Sequence, residues 1–66
     1  MNIYLNGEAR QVPERCTAQQ LVDELGLAGK RIAMEVNREI IPRSGYGEHV
    51  LQPEDSIEIV HAIGGG

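Results

Sequence analysis

Only one segment of this chain has the pattern of an amphipathic helix, and this limits the folds open to it. The segment begins at Thr17, which together with Gln20 forms the capping box of a helix N-terminus. The apolar residues within it have the spacing of a single helical stripe: Ala18, Leu21, Val22 and Leu25. Gly26 then stands where a left-handed residue commonly ends a helix. One helix in 66 residues can cover one face of one small sheet, so the sequence predicts a single domain.

The remaining ordered segments have the composition of β-strands. Asn6-Gly7 predicts a two-residue hairpin turn, and Asn37-Arg38 is a second plausible turn. The last segment is expected at the centre of the sheet, because it is apolar on both faces. The predicted strands are Asn2–Asn6, Ala9–Val12, Ile32–Val36, Glu39–Ile41 and Ser56–Ile63. This order predicts an α+β chain with a mixed four- to five-stranded sheet and one main helix on one face, which is the β-grasp arrangement of ubiquitin-like proteins.

The two faces of the predicted sheet differ. Ile57 and Ile59 are expected to face the helix, and no further element is left to cover the other face. Tyr4, Val60 and Ala62 would lie on that open face and form a modest apolar patch, which we interpret as a partner-facing surface. Because the only other aromatic residue is Tyr46, the core is expected to be aliphatic.

Charge and composition exclude several classes of function. Ten acidic and six basic residues give a net charge of −4, and the basic residues are scattered, which argues against nucleic acid as a partner. No apolar run reaches membrane-spanning length and no signal segment opens the chain, so we expect no membrane association and a cytoplasmic protein. The three candidate soft metal ligands lack metal-site spacing, so we expect no metal: Cys16, His49 and His61.

The sequence predicts that this chain is not an enzyme. It has no phosphate-binding loop, and so small a domain offers little room to enclose a catalytic site. Cys16 stands just before the helix, where it is either a small buried hydrophobe that packs near Leu21 or a reactive thiol at a helix N-terminus. His61 is interpreted as a hydrogen-bonding or partner-facing residue.

The glycine run at the end of the sequence is its most unusual feature. We divide the chain into a domain over residues 1–63 and a flexible tail over residues 64–66. Gly64 and Gly65 have no side chains, so the tail can thread a narrow active site of a partner and deliver the carboxylate of Gly66. A partner that uses ATP could convert this carboxylate to an acyl-adenylate, and a sulfur nucleophile could then leave a thiocarboxylate. The alternative is an inert end of the chain.

At three places the sequence resembles the ThiS family, the sulfur carriers of thiamin biosynthesis. These are Leu5-Asn6-Gly7-Glu8, the stretch V-N-R-E-I-I-P-R over residues 36–43, and the last strand running into Gly65-Gly66. The resemblance implies that an E1-like adenylyltransferase activates Gly66 with ATP. It further implies that a persulfide from the cysteine desulfurase pathway supplies sulfur and that thiazole synthase receives it, with no cofactor bound by this chain.

Other functions stay open at this point. Related carriers serve molybdopterin synthesis or tRNA thiolation, and ubiquitin-like modifiers share the terminal glycines. A β-grasp interaction module with an inert tail is the alternative from a different class.

Overall fold

A computed structural model describes residues 1–62, and within them one α-helix packs on a five-stranded mixed sheet, with a short 3-10 helix at Arg43–Gly45. The strands are β1 (Asn2–Leu5), β2 (Glu8–Gln11), β3 (Ile32–Val36), β4 (Glu39–Ile41) and β5 (Ser56–His61), and the helix is α1 (Ala18–Glu24). The predicted α+β class and the single main helix are confirmed.

Strand β5 lies at the centre of the sheet, as predicted. The strand order is β2-β1-β5-β3-β4, with β1 parallel to β5 and every other pairing antiparallel. β5 therefore joins the β1–β2 hairpin to the β3–β4 hairpin. The strand ends at His61, so its predicted extension to Ala62 is wrong, and Ile63 lies outside the described residues.

Both hairpins turn through residues with positive φ. Asn6 and Gly7 have φ of 50° and 87°, and Asn37 and Arg38 have φ of 51° and 69°. Positive φ at both central residues is the geometry whose twist matches that of the flanking strands. Both predicted turns are confirmed.

Helix α1 begins and ends as its sequence predicts. The Gln20 amide donates to the Thr17 hydroxyl at 3.1 Å, and the Gln20 side chain accepts from the Thr17 amide at 2.9 Å. At the other end Gly26 has φ of 72°, and the Leu27 amide donates to the Val22 carbonyl at 3.0 Å. This is a Schellman ending, in which a left-handed residue lets the chain satisfy the last carbonyls of the helix.

The core lies between α1 and the inner face of the sheet, and it is not purely aliphatic. Its buried members from the strands and the helix include Ile3, Leu21, Met34, Ile57 and Ile59. Tyr46 is also buried, with 3% of its surface exposed, so the prediction of an aliphatic core is wrong.

Tyr46 is drawn inward by the backbone of α1. The amides of Ala18 and Gln19 have no partners within the helix, and they donate to the carbonyls of His49 at 2.9 Å and Tyr46 at 3.0 Å. The loop after β4 must therefore lie against the start of the helix.

A polar network holds the β3–β4 turn to the start of β5. The Asn37 side chain donates to the buried Asp55 carboxylate at 2.9 Å and accepts from the Ser56 amide at 3.0 Å. Asp55 also accepts from the Gln52 amide at 2.8 Å. A buried carboxylate is stable only when its oxygens have such donors.

Candidate functional site

The end of β5, where the predicted tail begins, is held from both sides. On the β1 side the Asn6 side chain accepts from the Ile59 amide at 2.9 Å and donates to the Ile59 carbonyl at 3.3 Å. On the β3 side the Ala62 amide donates to the Arg31 carbonyl at 2.9 Å. The last described residue is thus part of the hydrogen-bonded sheet.

The predicted site in the tail lies outside the described residues. Gly64, Gly65 and Gly66 therefore keep the status of predictions, as does the boundary between domain and tail. The structure fixes only the position from which they continue, beside Ala62 at the end of the central strand.

The predicted apolar patch lies on the face of the sheet opposite α1. Tyr4, Val60 and Ala62 are all exposed there, with 60% of Val60 accessible. They do not form one cluster, because Tyr4 lies opposite Ser56 whereas Val60 lies four residues farther along β5. At about 3.3 Å per residue this separates them by roughly 13 Å. A partner that contacts both must also contact what lies between them.

Strand pairing adds residues to this face that sequence reasoning missed. Ala33 lies opposite Val60, and Ile40, with 76% of its surface exposed, lies opposite Glu35. Glu35 in turn lies opposite Glu58 in the middle of the face. The alternation of each strand could have assigned these residues to a face, but only the register shows which of them are neighbours.

Cys16 is a buried core residue. Only 2% of its surface is exposed, and its thiol donates to the Thr17 carbonyl at 3.5 Å. Burial, with a smaller contribution from the negative charge of Glu24, raises the pKa of the thiol above its usual 9.0. A thiol that keeps its proton is a poor nucleophile, so the interpretation as a buried hydrophobe is confirmed.

The described surface has a groove of about 270 Å³ between α1, the segment that follows it and the loop after β4, and this groove is open to solvent. Ligand sites that enclose a substrate usually begin near 300 Å³. Residues 1–62 contain no group of three side chains that could hold a metal ion, and no helix among them is long and apolar enough to cross a membrane.

Comparison with known proteins agrees with this geometry. The model of the ThiS family matches residues 3–66. The chain belongs to the ThiS family. The sulfur carrier protein ThiS of Escherichia coli is 30% identical to it over 66 residues that cover all of both chains. That of Bacillus subtilis is 38% identical over 97% of this chain and 98% of its own.

A solved structure confirms that this ThiS-family chain has the predicted β-grasp fold. The crystal structure of the thiamine biosynthesis protein ThiS from Geobacter metallireducens superposes with a TM-score of 0.87 at 26% identity and covers all of both chains.

The family domain also occurs inside longer proteins. A thiazole synthase of Magnetococcus marinus is 44% identical over the whole of this chain. This ThiS-family chain spans only about a fifth of the length of that protein. A thiazole synthase of Paramagnetospirillum magneticum matches in the same way at 39% identity.

Proposed function

We propose that this chain is a sulfur carrier for the thiazole of thiamin and acts as a protein substrate rather than as an enzyme. The observation that carries the proposal is the match to the Escherichia coli carrier over the full length of both chains. The matches to thiazole synthases favour thiamin over the pathways of molybdopterin or tRNA thiolation.

In the proposed reaction an E1-like adenylyltransferase binds ATP and the tail. The Gly66 carboxylate attacks the α-phosphorus of ATP, pyrophosphate leaves, and an acyl-adenylate forms. The terminal sulfur of a persulfide, supplied through the cysteine desulfurase pathway, then attacks the acyl carbon and displaces AMP. A thiol cleaves the S–S bond of the resulting acyl disulfide, which leaves the thiocarboxylate on Gly66 and a disulfide on the thiol pair. Thiazole synthase takes the sulfur from that thiocarboxylate.

The domain suits a reaction in which partner enzymes supply the chemistry and this chain supplies only the reacting carboxylate. Gly64, Gly65 and Gly66 extended would reach about 10 Å from the sheet, and they carry no side chain that a narrow channel would exclude. The hydrogen bonds at Ile59 and Ala62 support the proposal, because they give the tail a fixed starting point. We place the carrier in the cytoplasm, where the ATP and the thiols that the proposed reaction consumes are available.

The central test is intact-mass analysis after incubation with ATP, the adenylyltransferase and a persulfide donor. We expect the mass increase of one oxygen replaced by sulfur. A variant that lacks Gly66 should show no increase, because the reacting carboxylate is displaced by one residue. Its thermal unfolding should match that of the parent, since no described core residue is changed.

Two outcomes would contradict the proposal. Sulfur incorporation by the variant without Gly66 would show that the reacting group is not the Gly66 carboxylate. If loss of Gly66 leaves the biological activity of the chain unchanged, the chain is instead an interaction module with an inert tail. Deletion of the gene then separates the pathways: thiazole auxotrophy supports the proposal, and loss of molybdoenzyme activity with normal thiamin assigns the carrier to molybdopterin.

A further inference from the structure

Strand β5 loses its β1 neighbour before it reaches the predicted tail. The parallel pairing of β1 with β5 ends where Leu5 lies opposite Ile57. On the other side, β3 accompanies β5 as far as His61, which lies opposite Ile32. Beyond Ile57, residues 1–62 therefore place a strand beside β5 on the β3 side only.

The side chain of Asn6 takes the place of the missing strand at Ile59. Its Oδ1 accepts from the Ile59 amide at 2.9 Å, and its Nδ2 donates to the Ile59 carbonyl at 3.3 Å. A carboxamide can do both because, like a peptide group, it carries a donor and an acceptor. The backbone amide of Asn6 also donates to the Ile57 carbonyl at 2.8 Å. One residue of the first hairpin turn thus binds β5 at two successive positions on its β1 side.

These bonds lie where β5 leads toward the tail. Ala62 follows Ile59 along the strand by roughly 10 Å, at about 3.3 Å per residue. Without the bonds from Asn6, this end of the strand would be held from the β3 side alone and could swing about that edge. A swing that begins at Ile59 grows along this length, so it is larger at Ala62.

We propose that Asn6 is a positioning residue for the carrier reaction, because its side chain fixes the direction in which the end of β5 presents the tail to the adenylyltransferase. Asn6 acts through the backbone of Ile59, and the chemistry stays with the Gly66 carboxylate. A strand end that is already ordered loses less conformational entropy when an enzyme binds it. The inference rests on the proposed function, since only a chain that delivers its C-terminus needs this direction fixed.

The test replaces Asn6 by glycine. Glycine readily adopts the φ of 50° found at Asn6, so Asn6→Gly keeps the turn and removes both side-chain bonds to Ile59. The full chain is the varied substrate in steady-state kinetics with purified adenylyltransferase, ATP and a persulfide donor. We expect KM for the chain to rise about tenfold with kcat nearly unchanged, because the lost order weakens binding of the ground state and the transition state equally.

Asn37 supplies a matched control, because it holds the other end of β5 in the same way. It has φ of 51° in the second hairpin turn, its backbone amide donates to the Ser56 carbonyl, and its side chain accepts from the Ser56 amide. Asn37→Gly should lower the urea midpoint at least as much as Asn6→Gly, since it also removes a donor from the buried Asp55. It should change KM less than about twofold, because Ser56 begins β5 and distant sites act almost independently.

Hydrogen exchange separates positioning from direct contact with the enzyme, which would also raise KM because Asn6 is exposed. The informative amide is that of Ala62, whose bond to the Arg31 carbonyl is not touched by the substitution. In the free chain we expect it to exchange about fivefold faster in Asn6→Gly than in the parent, because the strand end opens locally. In Asn37→Gly it should exchange as in the parent.

A second variant keeps one of the two bonds. Asn6→Asp tolerates positive φ and retains an acceptor for the Ile59 amide, but it has no donor for the Ile59 carbonyl. Its KM should lie between those of the parent and Asn6→Gly. All kinetics are measured at a temperature at which circular dichroism shows each variant to be folded.

Three outcomes would overturn the inference. Equal changes of KM in Asn6→Gly and Asn37→Gly would make Asn6 a stabilising residue only. A higher KM with unchanged exchange at Ala62 would make it a contact residue, and an unchanged KM would show that the reaction does not use the direction of the strand end. In each case a parent chain that forms the thiocarboxylate leaves the proposed function standing. A parent chain that forms none overturns the proposed function, and the inference falls with it.

Discussion

Desolvation decides the chemistry of Cys16, although the residue stands just before a helix. The N-terminus of a helix lowers the pKa of a thiol that faces it in an exposed site. Cys16 instead belongs to the buried core, and burial, assisted by the charge of Glu24, raises its pKa. The same residue therefore contributes packing, and its protonated thiol is a poor nucleophile in the folded chain.

The raised pKa of Cys16 predicts how stability depends on pH. Because the folded chain holds the thiol proton more tightly than the unfolded chain, this contribution is fully present below the unfolded pKa of about 9.0 and is lost as pH rises through the folded value. The free energy of unfolding measured with urea should fall more steeply above that pH for the parent than for Cys16→Ala. Identical slopes, or rapid labelling of the thiol by Ellman's reagent in the native state, would contradict this assignment.

At the scale of elements, short-range hydrogen bonds set where the helix begins and ends. The capping box at Thr17 and the left-handed residue at Gly26 each involve partners only a few positions apart. For this reason both ends could be predicted from sequence. The loop that packs on the start of α1 could not, because its carbonyls at Tyr46 and His49 are far from the helix in sequence.

Replacing Gly26 by alanine tests the ending of the helix. A Cβ at this position would meet no other atom within 4 Å, so its cost is the left-handed backbone alone, about 1 kcal/mol of unfolding free energy. The matched control is Gly47→Ala, which also has open space around it but no positive φ, and which should be neutral or slightly stabilising. Urea denaturation measures both, and equal effects would show that the ending imposes no strain.

At the scale of the whole molecule, β5 is the element that unites the sheet. It pairs with both hairpins, and Ile57 on its inner face is fully buried. The outer face of the same strand carries Glu58 and Val60. A single strand thus holds the core together on one face and leaves Val60 exposed on the other.

Substitutions on the two faces of β5 should have unequal effects. Ile57→Ala removes fully buried atoms and should cost about 2 to 5 kcal/mol. That is a large part of the roughly 3 to 10 kcal/mol expected for a domain of this size. Val60→Ala, on the exposed face, should change stability by less than about 0.5 kcal/mol. Circular dichroism during urea unfolding measures both, and comparable losses would mean that Val60 is buried in solution.

The sequence by itself determined the features that depend only on residues close together along the chain. Asn6-Gly7 and Asn37-Arg38 specify their turns, Thr17 with Gln20 specifies the start of the helix, and alternation assigns each strand residue to a face. These features are local because the interacting groups are separated by only a few bonds of chain. The three motifs near the start, in the middle and at the end of the sequence also carried the family resemblance, since a motif is read without any knowledge of packing.

Only the tertiary structure decided which distant residues become neighbours. The register of β3 against β5 puts Glu35 opposite Glu58, and the unpaired amides of α1 draw Tyr46 into the core. The hydrogen bonds from Asn37 and Gln52 make the burial of Asp55 possible. Strand register and loop docking depend on the sum of many weak contacts across the whole chain, and no short stretch of sequence contains that sum.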